Sequence, residues 1–188
     1  MGVGLIWPRS MVGEVVFWQD VLPSSPFRIR ETMNSAESQI RSFFVYGTLC
    51  RGQCRANLWP VPPQMVVSAW VFGELFGRKD YPAMRPGGDR IAGECWQFDQ
   101  NEVLRVIQAL DIIEGTNQPN RANLYDRVTL QAFPIEAMED KVTDFGSDRT
   151  ELRRSIPAYG YHYAVDPLEH GFRRLSPSPE DGLSRWPY

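Results

Sequence analysis

Only one stretch of this chain, Asp99 to Glu114, carries the apolar spacing of a long helix, while strand-like runs recur before and after it. Asp99 is suited to cap that helix, Glu102 follows three residues on, and Val103, Leu104, Ile107 and Leu110 mark one face at helical spacing. The flanking runs are "SFFVY", "MVVSAWVFGELF", "RIAGECWQFD", "LYDRVTLQAF" and "IPAYGYHYAV". A doubly wound sheet needs a helix for nearly every parallel crossover, so one helix among five strands excludes it. The pattern predicts an α+β domain whose sheet curls around a small core. At 188 residues, 43% hydrophobic, the chain is long enough to bury one such core. Gly73 interrupts the second strand and predicts a bulge; "RKDYPAMRPGGD" is expected to be a loop, because Pro82, Pro86 and Gly87-Gly88 each break regular structure.

Continuing the helical face produces the first polar anomaly. Four residues past Leu110 stands Glu114, which at about 100° per residue falls within roughly 20° of Ile107, inside the apolar stripe. Its carboxylate is therefore aimed inward, with Asp111 on the flank and Gly115 as the helix stop. Glu94 shares the parity of Ala92, Trp96 and Phe98, so it lies either at the wet end of its strand or in a pocket.

The second anomaly is "SFFVYGTLCRGQ", where a strand breaks into glycine and a hydroxyl. Gly47 lets the backbone approach a ligand without a Cβ in the way, and consecutive N–H groups in such a turn form an anion-binding nest. Tyr125 and Tyr161 are candidates for the walls of a site, as aromatic residues with polar tips.

Other chemistries are poorly supplied. A formal charge of −3 without a basic stripe argues against nucleic acid or an anionic membrane surface as partner. The first residues hold neither an apolar run of about 20 residues nor a secretory leader, so cytoplasmic residence is expected. Cys50, Cys54 and Cys95 have no clustered histidine, which predicts reduced thiols and neither metal nor cofactor. Of the two histidines, His162 is expected to be satisfied or solvent-facing and His170 an inert loop residue, leaving Cys50 without an obvious base. Residues 1–41 form an extension of no assignable role, with Met33 a second candidate start, residues 42–166 the domain, and residues 167–188 an extended Pro/Ser-rich tail that Trp186 could dock. The polar insertion after Phe133 is expected to be a solvated hairpin or loop.

In order, "FFVYGTLCRG", "GELF", "YPAMRPGG", "IAGECWQFD", "ALDIIEG", "LYDRVTL" and "AYGYHY" resemble the γ-glutamylcyclotransferase-like family, which includes γ-glutamylamine cyclotransferases and plant avirulence-induced proteins. The resemblance runs from Phe43 to Val165 and implies a compact mixed β-barrel with flanking helices. It also implies that Tyr46, Gly47, Thr48 and Leu49 line a substrate site, that Glu114 is the acid/base, and that a small γ-glutamyl compound is cyclised to 5-oxoproline. A non-catalytic binding or interaction module of the same fold is the alternative.

Overall fold

A computed structural model describes residues 40–135 and 155–186. The amino-terminal stretch with Met33, and nearly all of the polar insertion, lie outside the described residues. Five strands close into a barrel: β1 (Ser42–Val45), β2 (Met65–Gly77), β3 (Pro82–Gln97), β4 (Tyr125–Pro134) and β5 (Ile156–Tyr163). They run in the order β2-β4-β5-β1-β3, and β3 pairs back onto β2. All pairings in the ring are antiparallel except that of β1 with β5, where Phe43 faces Tyr159. Closure removes the free edges that an open sheet would present.

All four residues of β1 are buried, which is why "SFFV" reads as a continuous apolar run rather than an alternating one. Phe44 enters a cluster with Ala69, Val71, Leu75, Met84, Ile91, Cys95, Ala132 and Ala158, drawn from all five strands, which fills the barrel. Phe43 and Val45, of opposite parity, join a second cluster with Phe98, Tyr125, Tyr161 and Tyr163. The only α-helix among the described residues, α1 (Val103–Ile113), packs on that second cluster.

Asp99 accepts from the N–H of Asn101 and opens the single 3₁₀ turn that leads into α1. The buried stripe of α1 is Val103, Val106 and Leu110; Leu104, expected on it, is 65% exposed. Leu104 lies about 100° from Val103, too far round to share its face. Complete burial of Val106 and Leu110 contributes roughly 1.5–3 kcal/mol each to docking the helix. Recentring the stripe leaves Glu114 inside it, at about 20° from Val103.

The loop expected over "RKDYPAMRPGGD" is largely strand, since β3 begins at Pro82 and the turn is confined to Arg78–Tyr81. Glu74 pairs with Arg85 and Gly73 with Asp89, so Pro86, Gly87 and Gly88 form a bulge opposite the break at Gly73/Glu74. There the missing donor of Pro86 interrupts no ladder bond, and a Cβ on Gly87 would stand 2.2 Å from the Glu74 side chain. Two further strands, β6 (Arg173–Arg174) and β7 (Leu183–Ser184), pair with β2 and β3. They tie down the Pro/Ser-rich tail, and the indole N–H of Trp186 donates to the carbonyl of Arg78 at 3.2 Å.

Candidate active site

One wall of the site is the turn that follows β1. Cys50 N–H returns to the carbonyl of Gly47 at 3.0 Å, and Arg55 N–H reaches the carbonyl of Thr48 at 2.9 Å, so the chain doubles back twice within nine residues. Trp59 stacks on Trp96 with ring centroids 4.5 Å apart and donates to the carbonyl of Leu49 at 3.1 Å, fixing the outer side of the turn. With these carbonyls engaged, the N–H groups of Thr48 and Leu49 donate to no protein acceptor among the described residues, while that of Gly47 is turned to the Cys50 sulfur. A Cβ on Gly47 would lie 2.4 Å from Pro82 Cγ. Glycine is thus required by the approach of Pro82 itself, at the rim of the site.

The opposite wall is the end of α1. Glu114 terminates the helix, its N–H donating to the carbonyl of Leu110 at 2.8 Å, and Gly115 takes the left-handed conformation, φ 65°. Buried Thr116 then donates to the carbonyl of Tyr125 at 2.6 Å, which locks the helix end to the start of β4. On the flank, Asp111 accepts from Tyr161 Oη at 2.8 Å and Arg127 Nε at 3.0 Å. Tyr161 is thereby held across the floor between helix and barrel.

Between the walls lies a cavity of about 110 Å³, against the ~10–15 Å³ that one water requires. Tyr46, Gly47, Thr48, Leu49, Glu114 and Tyr125 all line it, as does Tyr161. Among the described residues no donor is hydrogen-bonded to the Glu114 carboxylate. Burial pushes its pKa up from 4.5 to about 7, and the Arg55 guanidinium pulls weakly the other way. Tyr46 donates to the carbonyl of Tyr161 at 2.9 Å and Tyr125 to the carbonyl of Pro82 at 2.7 Å. Burial first, and the neighbouring Glu114 among further charges, hold both phenols above the ordinary range, so they remain protonated.

A model of the family "Gamma-glutamyl cyclotransferase, AIG2-like" matches residues 43–175, most of the chain and nearly all of the described barrel. The chain belongs to this family. No curated protein sequence matches it. Among solved structures it is similar to an AIG2-like protein from Mus musculus, with 19% identity, TM-score 0.47, and 79% of this chain and 97% of that one covered. A protein from Arabidopsis thaliana matches at 21% identity and TM-score 0.44, over 69% of this chain and 74% of that one. A structure described as a gamma-glutamyl cyclotransferase matches at 13% identity and TM-score 0.36, over 74% and 72%.

Within this AIG2-like domain the other candidate groups fall away from the cavity. Cys50 points its thiol at the carbonyl of Val45, 3.5 Å away, and burial with the Glu94 charge pushes its pKa up to about 12, so it is a thiol rather than a nucleophilic thiolate. His162 is neither satisfied nor solvent-facing at Nε2, which is buried without a partner among the described residues; burial and then Arg85 depress its pKa and keep it neutral. His170 bonds through Nδ1 to Tyr163 Oη at 2.6 Å. Glu94 stands outside the cavity, where it accepts the backbone N–H of Arg51 at 2.9 Å, Arg51 Nε at 2.7 Å and the Trp96 indole at 3.0 Å. No cluster of three or more His, Cys, Asp or Glu suited to a metal occurs among the described residues. The cavity also takes Arg55, Tyr81, Pro82, Ile113 and Leu124, none of which the sequence pattern singled out. Gly47 and Pro82 are distant in sequence, and their contact depends on how the β2–β3 hairpin folds over.

Proposed function

We propose that this AIG2-like protein releases 5-oxoproline from a γ-glutamyl amine or γ-glutamyl peptide, with Glu114 as acid and base. The observation that carries this reading is the Glu114 carboxyl, raised to about 7, in a cavity also lined by Thr48 and Leu49, whose N–H groups are unengaged among the described residues.

A γ-glutamyl compound holds its own nucleophile. The Glu114 carboxylate takes a proton from the α-ammonium, and the freed amine attacks the γ-carbonyl carbon, forming the C–N bond of a five-membered lactam. The resulting oxyanion collapses, the original amide C–N bond breaks, and the leaving nitrogen receives the proton from Glu114. The second proton of the ring nitrogen then passes through the same carboxylate to the departing amine, so the products are a neutral lactam and an ammonium. The carboxylate is regenerated, so no external reagent is consumed. Ring closure is intramolecular, and effective molarities of about 10⁵ M or more are available to well-oriented pairs. A serine or cysteine triad is therefore unnecessary. A carboxyl titrating near ambient pH is matched to taking and then returning a proton. The backbone N–H groups are suited to an anionic part of the substrate, and Tyr46 and Tyr125, whose protons are committed to carbonyls, act as shaped walls.

The test is to incubate the purified full chain with γ-glutamyl dipeptides, γ-glutamyl amines and glutathione while measuring 5-oxoproline. Release from at least one of these, lost in Glu114→Gln, is expected. A silent panel with a folded protein would overturn the enzymatic reading in favour of a binding module.

A further inference from the structure

The turn that forms the site carries two arginines with different fates. Arg51 is consumed by Glu94, which takes both its backbone N–H and its Nε. Arg55 is anchored through its backbone to the carbonyl of Thr48, yet its guanidinium has no ion pair or hydrogen bond to any described residue. It is exposed, and it lines the same cavity as Glu114. Free guanidinium at the solvent side of a pocket is a ready fork for a carboxylate.

On the reading that the substrate is a γ-glutamyl compound, its two ends are chemically distinct. The glutamyl end must bring its amine and γ-carbonyl to Glu114, in the cavity where the N–H groups of Thr48 and Leu49 are available for its α-carboxylate. The leaving amine must depart toward solvent, past the exposed Arg55. A plain alkylamine gives that guanidinium nothing to bind, whereas an amino acid carries a carboxylate one carbon from the scissile nitrogen. We infer that Arg55 reads a carboxylate on the leaving group, so that the substrate class is γ-glutamyl amino acids in preference to γ-glutamyl alkylamines. Neutralising Arg55 in this way would also remove the one cation that opposes protonation of Glu114.

The experiment uses a matched pair, γ-glutamyl-alanine and γ-glutamyl-ethylamide, which differ only by that carboxylate. The wild-type chain should favour γ-glutamyl-alanine by about 10-fold or more in kcat/KM, the scale of one charge-assisted pair. Arg55→Met should lower kcat/KM for γ-glutamyl-alanine about 10-fold more than for γ-glutamyl-ethylamide, and Arg55→Lys should restore part of the preference. Equal losses on both compounds would assign Arg55 to the α-carboxylate and overturn the proposal, as would an absence of preference in the wild type. Binding of the pair to Glu114→Gln, followed by calorimetry with and without Arg55→Met, separates this proposal from the catalytic reading. A preference for γ-glutamyl-alanine that vanishes with Arg55→Met supports it even if no 5-oxoproline is released, and equal affinities sink it even if turnover is seen.

Discussion

Glu94 and Glu114 are both carboxylates that the chain's periodicity turns inward, one from a strand and one from a helix, and their surroundings make them opposites. Glu94 meets an arginine side chain, an arginine N–H and an indole, so its charge is spent on holding the turn after β1. Glu114 faces a cavity walled by tyrosines whose hydroxyls are committed elsewhere, with no hydrogen-bond donor from the described residues, so its charge is held at a cost and its proton stays exchangeable near neutrality. A satisfied carboxylate makes structure, and an unsatisfied one beside a cavity is available for chemistry.

The sharpest way to break this contrast is Glu114→Gln. It should leave the fold intact and reduce 5-oxoproline release by at least about 100-fold, the usual reach of a general acid/base. Next is Gly47→Ala, whose new Cβ would overlap Pro82 and displace the turn. A loss of about 1–3 kcal/mol in denaturant unfolding and a KM raised on the order of 10-fold are expected; unchanged values would make the tight contact irrelevant.

The third concerns stability against pH. Glu114 keeps its proton to about 7 in the folded chain but only to about 4.5 when unfolded. Between those values the unfolded state holds fewer protons, so this group's contribution falls as pH rises and its full penalty is present above about 7, on the order of 3 kcal/mol as an upper bound. Glu114→Gln should therefore raise Tm relative to wild type at pH 8 and lose that advantage toward pH 4.5; a pH-independent difference would contradict the shift. The smallest effect is expected from Glu94→Gln, which weakens a partly exposed ion pair and should cost about 1 kcal/mol with a modest rise in KM. Its pH profile of turnover should stay that of the wild type, whereas a changed profile would give Glu94 a share in the chemistry.

Much of this was legible because helical and strand periods are properties of neighbouring residues. The direction of Glu114 survived even the misassignment of Leu104, since both centrings of the stripe include position 114. The break after Val45 was equally visible as a glycine ending an apolar run. What escaped was set by distant parts of the chain. Pro86-Gly87-Gly88 reads as a loop until the partner strand supplies the break at Gly73/Glu74 that lets a bulge absorb it. The parity of Glu94 was readable, but not that Arg51 and Trp96 would claim its oxygens. Arg55 looked like any loop arginine, because only the bond from its N–H to Thr48 turns it back toward the cavity.

The central claim is that Glu114 exchanges its proton near neutral pH, and it can be measured without any substrate. Carbon-13 NMR titration of the side-chain carboxyls in glutamate-labelled protein, with Glu114→Gln identifying the signal, should give a midpoint at about 7. A midpoint at the ordinary 4.5 would mean that the cavity leaves Glu114 as solvated as a surface glutamate, and would contradict the account.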